Sequence, residues 1–310
     1  MDFDTPAGRL PVVAAAASRA GQWLVDAWIK GAGDAELAID ALALARVCAL
    51  LDPNSTQALD RLIATLGRGC APAWGTGNLL PNLLAAGASL ADAGDLASGA
   101  LEYVQRLDEL QYEARGANAV LLRIALHGAE NVPVAGAVLG ETAFDIKLLS
   151  NGHREDVARL LSEIETATLF GLVSRQVEMP LTVLLEGTAM ANLRAYDLPR
   201  AMRLLRARLY TQPGPSLGLA TGFDFLRLSQ CDDGPFGDFD AALARMAARG
   251  DHDEELRLKL PVTLQALWTM AEIENPSFRL VGAAFTGTDA LLLRGGSYVA
   301  DERSDRCVQA

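Results

Sequence analysis

The stretch of sequence that decides the fold is residues 179–210, MPLTVLLEGTAMANLRAYDLPRAMRLLRARLY. Its apolar residues recur at the spacing of one face of an α-helix and do not alternate with polar residues as in a strand. We predict two helices, Met179–Ala195 and Leu198–Tyr210, with Tyr196 and Asp197 between them. Because so short a connection favours antiparallel neighbours, the stretch predicts a helical hairpin.

The same helical spacing continues along the chain, and alternating strand patterns are missing. The predicted fold is therefore all-α, with about a dozen antiparallel helices arranged as an α-solenoid or a paired-helix toroid. Residues 1–285 are expected to form a single helical domain, or two halves divided near residues 130–135, before an irregular or frayed tail at 286–310. The other predicted helices are Arg9–Lys30, Ala35–Leu51, a short helix capped by Ser55, one starting at Asn78, two within Leu96–His127, Val134–Leu149, His153–Leu172, Ser216–Leu228, Phe239–Ala248 and Asp253–Glu272.

The charge balance argues against a nucleic-acid partner. The 310 residues include 27 basic and 39 acidic ones, a net charge of −12, so a phosphate backbone would be repelled on average. No apolar run reaches the length of a membrane span, about 18 residues or more. Acids at Asp2 and Asp4 stand where a secretory signal would carry positive charge. We therefore expect a cytoplasmic protein with no membrane partner, either a monomer or a homo-oligomer.

The metal-binding and nucleophilic residue types are few and scattered. Four cysteines without a C-x-x-C motif indicate reduced thiols rather than a disulfide or zinc framework, and the three histidines add no ligand spacing. We expect no metal and no cofactor. Several acidic clusters resemble the metal-binding acids of all-α terpene cyclases, but the second Asn-Ser-Glu type cluster is missing and aromatics are only 6% of the chain. We interpret the loop clusters as helix caps and solvated turns. They are Asp232-Asp233, Asp238–Asp240, and Asp251 with Asp253–Glu255.

Four stretches resemble an actinobacterial helical family, domain of unknown function 6895. They are the opening helix with Trp23 and Trp28, the loop and helix over residues 73–84, the segment Leu217–Gly237, and the closing helix Leu256–Met270. The resemblance implies an all-helical protein of natural-product metabolism. The family tends to carry a Thr-His pair in the late segment, where this chain has Thr221 in place of the histidine.

Two pairs of polar residues are predicted to share a helical face and are candidates for catalysis. Arg123 and His127 are four residues apart in an apolar run, and a neighbouring cation favours the neutral imidazole that acts as a base. Alternatively, His127 ends its helix and stabilises the last carbonyls. Glu141 and Asp145 have the same spacing and could share a proton, or form surface pairs with Lys147 and a neighbouring arginine.

Glu186 is a further catalytic candidate, because it interrupts the apolar run 181–185. An acid in such surroundings is costly to bury without a partner, and we consider Asn192 and Arg194 for that role. The pattern predicts either a structural ion pair or a cavity. We leave both open.

Ligand-binding candidates follow in the next two helices. Asp224 and Arg227 are three residues apart among aromatics, and Arg203 belongs to a concentration of arginines in an otherwise acidic chain. Guanidinium groups bind carboxylates or phosphates with two parallel hydrogen bonds. The alternative is a solvated face paired with acids of adjacent helices. The five arginines of this cluster are Arg194, Arg200, Arg203, Arg206 and Arg208.

Two functions of different classes fit these patterns. The first is binding of a peptide or small metabolite in a concave cavity, with or without a cofactor-independent cyclisation, isomerisation or proton transfer. The second is a non-catalytic, tetratricopeptide-like interaction module, which the weak matches at Ala201, Leu205, Leu209 and Pro213 favour. At least three candidates from different helices in one pocket would favour binding, and a long open groove would favour the module.

Overall fold

The structure is a computed structural model, and it describes ten helices. The described residues are 10–29, 36–52, 55–66, 82, 85–86, 144–150, 152–168, 170–171, 177, 179–247, 254–275 and 278. The helices are α1 Leu10–Ala27, α2 Ala38–Leu51, α3 Thr56–Leu66, α4 Lys147–Ser150, α5 Arg154–Ala167, α6 Met179–Arg194, α7 Leu198–Thr211, α8 Leu217–Leu228, α9 Asp240–Ala247 and α10 Glu254–Glu274.

The all-α prediction is confirmed for this part of the chain. It contains no strand, and its one β-bridge joins Gln230 to Phe236. The hairpin predicted from residues 179–210 is present as α6 and α7, with bounds within one residue of those predicted. Ser216 caps α8, because its hydroxyl accepts the Leu219 N–H at 3.1 Å. None of the described helices is both long and apolar enough to cross a membrane.

Three predicted helix boundaries are wrong. The helix predicted over His153–Leu172 ends at Ala167 as α5, and Phe170 and Gly171 beyond it have positive φ. Helix α2 begins at Ala38 rather than Ala35, and the chain before it forms a turn at residues 36–37. The predicted helix Val134–Leu149 does not extend through Phe144 and Asp145, which precede the four-residue helix α4. Because the Asp145 carboxylate accepts the backbone N–H of Lys147 at 3.0 Å, it favours a local turn over the helix. The helices predicted between residues 87 and 143 and the tail lie outside the described residues.

Helices α7 and α10 form the centre of the packing. Helix α7 packs against α5, α6 and α10, and α10 also packs against α1, α2 and α8. The large side chains of this core include Tyr210, Phe223 and Trp268, each no more than 1% exposed. Helices α1, α2 and α3 contact one another, so the face of α1 that does not enter the core borders α3.

A compact loop of residues 229–238 follows α8 and packs on both α1 and α10. The side chain of Phe236 is buried, and its backbone N–H donates to the Thr263 hydroxyl of α10 at 3.1 Å. At Gly234, φ is +117° and a Cβ atom would lie 2.4 Å from the carbonyl oxygen of Arg19. Glycine is therefore required at the point where this loop meets α1.

Candidate functional site

A polar pocket of about 270 Å³ lies between α1 and α3. Among the described residues that line it, six have hydrogen-bonding side chains, one is apolar and none is acidic. The pocket therefore presents two guanidinium groups, two amides and two hydroxyls in a strongly acidic chain. The lining residues are Ser18, Arg19, Gln22, Val25, Ser55, Gln57 and Arg61.

The helical period explains why α1 contributes a polar wall. Ser18 and Gln22 are four residues apart and both exposed, whereas Val13, Ala20 and Leu24 point into the core. Arg61 of α3 lies in the exposed stripe beside the buried Leu62. The polar residues of this wall have the sequence pattern of an ordinary solvated helix face. The sequence therefore did not predict a binding site there.

Arg19 is held at the pocket by the loop 229–238. Its Nη2 donates to the Gln230 side-chain oxygen, and the Gln230 amide nitrogen donates to the backbone oxygens of Ala16 at 2.9 Å and Gly234 at 2.8 Å. Because both acceptors are carbonyl oxygens, the amide nitrogen must face them and the amide oxygen must face Arg19. The orientation of Gln230 is thus determined by its hydrogen bonds.

Two acids contact lining side chains without themselves lining the pocket. The Gln22 amide donates to Asp26 at 2.9 Å, and the Ser55 hydroxyl donates to Asp52 at 3.2 Å. Ser55 and Asp52 are both buried. These bonds hold Gln22 and Ser55 in place. The two carboxylates themselves are not among the described residues that line the pocket.

Glu186 is part of an ion pair between α6 and α7. Its Oε1 accepts the Nε–H of Arg208 at 2.6 Å, and the two side chains are 24% and 5% exposed. The glutamate also fills the space beside Gly218 of α8, where a Cβ would lie 2.7 Å from Oε2. The partner is therefore Arg208, whereas Asn192, one of those we considered, donates to the backbone oxygen of Thr188.

The arginines of α7 point to different partners around the helix. Arg203 makes a two-pronged bond to Glu165 of α5, at 2.9 Å from Nε and 2.7 Å from Nη2. Arg200 pairs with Asp197 at 3.4 Å. Arg203 is thus a ligand-binding candidate whose guanidinium already holds a carboxylate of the protein.

The remaining described candidates lie apart from one another. Asp224 and Arg227 form an exposed pair at 3.9 Å on α8, and Asp145 is an exposed capping residue before α4. The described candidates therefore occupy separate places rather than one pocket. Arg123, His127 and Glu141 lie outside the described residues, so their roles stay predictions.

A buried polar network lies between α7 and α10. Glu272 is completely buried and accepts from the Tyr210 hydroxyl at 2.8 Å and the Trp268 Nε1–H at 2.7 Å. The guanidinium of Arg206 stacks 3.9 Å above the Trp268 ring and donates to the Thr269 hydroxyl at 2.6 Å. Burial lowers the pKa of Arg206, while the nearby Tyr210 and Glu272 oppose that shift. In the sequence, Arg206 is recognisable only as a member of the arginine cluster.

The acidic clusters of the late loops are not assembled into a metal site in the described part of the chain. No group of three or more His, Cys, Asp or Glu residues there is arranged to hold a metal ion. Asp238 accepts the backbone N–H of Asp240 at 3.1 Å, as a cap does. Asp233 instead lies 3.7 Å from the ammonium of Lys259, which also donates to Glu255 at 2.6 Å.

Comparison with known proteins adds no relative. No family model matches this sequence, and neither a curated protein nor a solved structure is significantly similar to it. The resemblance to domain of unknown function 6895 gains no support from these searches. The function is therefore inferred from the geometry of the described residues.

Proposed function

We propose that the protein binds a small polar metabolite in the pocket between α1 and α3, without a metal or cofactor. The observation that carries this proposal is the lining, in which hydrogen-bonding side chains from two helices meet and no described residue is acidic. Cavities that enclose drug-sized ligands measure roughly 300–1,000 Å³. A volume of about 270 Å³ suits a small metabolite better than a peptide.

Hydrogen bonds made by the lining side chains support a preformed site. Gln230 holds Arg19 from the loop, Asp26 holds Gln22, and Asp52 holds Ser55. Side chains that are already oriented lose less conformational entropy when a ligand binds. The pocket can therefore bind a ligand with little reorganisation of its walls.

A panel of chemically distinct probes tests the proposal. Inorganic phosphate, glutarate, glucose and putrescine are titrated into the protein and followed by calorimetry. We expect saturable one-to-one binding of at least one probe, and loss of that binding in Ser18→Trp, which places an indole in the pocket. Ala158→Trp is the matched control, because it adds the same side chain at an exposed position of α5. Binding that survives in Ser18→Trp, or no saturable binding by any probe, would contradict the proposal.

An exposed apolar surface favours a second function, a non-catalytic tetratricopeptide-like interaction module. Met179 and Val183 of α6 and Leu217 of α8 are 71%, 62% and 72% exposed, and α6 packs against α8. Ala201 and Leu205 of α7 are buried, as expected for the second helix of such a hairpin. Selection of a peptide whose binding is lost in Val183→Lys and kept in Ser18→Trp would favour this module.

Two finer predictions from the sequence accompany the main proposal. The resemblance implies a role in natural-product metabolism. A catalysed step would be a cofactor-independent cyclisation, isomerisation or proton transfer on the bound metabolite. Conversion of a bound ligand by the parent and not by Ser18→Trp would support catalysis at this pocket.

A further inference from the structure

The charge of Arg19 is not compensated by a carboxylate among the described residues. Its hydrogen bond goes to the neutral amide of Gln230, whereas Arg203 and Arg208 bind Glu165 and Glu186. A guanidinium carries five N–H donors, and one of them is used by Gln230. Arg19 therefore brings a full positive charge and unused donors to the pocket wall.

A second guanidinium and four neutral polar groups complete the wall. Arg61 of α3 also lines the pocket, so guanidinium groups from both helices belong to the wall. The Ser18 hydroxyl and the Gln57 amide provide further donors, whereas the single O–H of Ser55 already donates to Asp52.

Asp26 and Asp52 bond to Gln22 and Ser55, whereas Arg19 has no carboxylate partner among the described residues. Arg19 is therefore the group of the wall that attracts an oxygen anion, which a guanidinium binds with two parallel hydrogen bonds.

From this arrangement we propose that the pocket is selective for a small oxyanion, a carboxylate or a phosphate group, and that Gln230 positions Arg19 to bind it. The inference rests on the proposed function, because it names the ligand class of the same pocket. Gln230 suits this role because a neutral acceptor orients the guanidinium without cancelling its charge. A glutamate at the same position would cancel that charge and exclude the ligand.

The first experiment uses the four probes to test whether the pocket prefers anions to neutral and cationic ligands. Inorganic phosphate and glutarate should bind, whereas glucose and putrescine should not, and the affinity for the anions should fall as salt rises. Arg19→Gln should weaken anion binding roughly tenfold to a hundredfold, the usual effect of losing a hydrogen bond to a charged group. Arg245→Gln makes the same charge change at an exposed site on α9 and should leave binding unchanged. The preference between phosphate and glutarate distinguishes the two oxyanion sources.

The positioning role of Gln230 is tested by two replacements of similar length. Gln230→Met and Gln230→Glu both lose the donor bonds to Ala16 and Gly234, so they should melt at similar temperatures. Gln230→Met leaves Arg19 charged but less oriented, and should weaken anion binding by about threefold to tenfold, a cost expected when one side chain loses its orientation. Gln230→Glu pairs with Arg19 and should weaken binding at least as much as Arg19→Gln.

The outcomes separate this inference from the proposed function. If only glucose or putrescine binds and Ser18→Trp abolishes that binding, the pocket function stands and oxyanion selectivity is overturned. If the anions bind but Arg19→Gln binds them as well as the parent, the inference also fails. Equal losses in Gln230→Met and Gln230→Glu would reduce Gln230 to a structural residue and overturn its positioning role.

Discussion

Replacing Glu272 with alanine should destabilise the fold far more than removing a surface acid. Glu272 is fully buried and is the acceptor for two donors, the Tyr210 hydroxyl at 2.8 Å and the Trp268 Nε1–H at 2.7 Å. Tyr210 and Trp268 are themselves buried, so the altered core has no bulk water to replace the carboxylate. Both donors lose the acceptor that Glu272 provided.

The size of the effect follows from these contacts. A buried donor left unsatisfied costs about 1–3 kcal/mol, so two of them cost roughly 2–6 kcal/mol. Removal of one charge from a buried charged network typically costs about 3–5 kcal/mol, and the nearby buried Arg206 places Glu272→Ala in that range. We therefore expect a loss of about 3–5 kcal/mol, a large part of the ~5–15 kcal/mol that stabilises a typical protein.

Glu272→Gln should lose less stability than Glu272→Ala. The amide keeps one oxygen as an acceptor, but its nitrogen faces one of the two donors, so about 1–3 kcal/mol should be lost. The double variant Arg206→Met with Glu272→Leu should regain stability relative to Glu272→Ala, because apolar replacement of a whole buried charged network is often tolerated. This ordering separates the loss of charge balance from the loss of packing.

Urea unfolding followed by circular dichroism measures these differences. The dependence of the free energy of unfolding on urea should stay unchanged while the midpoint falls. Asp224→Asn is the control, because it removes an exposed acid from a surface pair and should cost about 0–1 kcal/mol. A loss in Glu272→Ala no larger than that in Asp224→Asn would refute the reasoning.

Three further predictions concern other parts of the fold. Gly234→Ala should destabilise the protein by more than Gly214→Ala in urea unfolding, because both glycines have positive φ but only Gly234 meets the Arg19 carbonyl; equal losses would contradict this. Burial opposes ionisation of Lys259, yet the bond to Glu255 raises its pKa above the ordinary 10.5. The stability that Lys259 adds, measured against Lys259→Met, should therefore be constant between neutral pH and pH 10.5 and decline as pH rises through the higher folded value; a decline already near neutral pH would contradict this. Burial also raises the pKa of the Cys48 thiol, so iodoacetamide should label it in the unfolded but not the native protein, as mapped by mass spectrometry; equal labelling of both would show that the site is open.

The helical periodicity of the sequence predicted most of the helices that the structure describes. The predicted bounds of α6, α7 and α8 agree with the structure within one residue, because a long amphipathic or apolar run with polar caps has few competing conformations. The failures lie at Asp145, before Ala38 and after Ala167, where side-chain and turn hydrogen bonds compete with the helix. The outcome of this competition depends on local hydrogen-bond geometry, which the pattern of apolar and polar residues does not specify.

The sequence by itself determined that the described chain folds into helices, and that Glu186 and Arg203 need oppositely charged or polar partners. Only the tertiary structure decided which partners they have, namely Arg208 and Glu165. It also decided that Arg19 is held by Gln230, 211 residues away in sequence, at the edge of a polar pocket. The physical reason is that periodicity is a property of neighbouring residues, whereas a pocket depends on how distant helices and loops pack together.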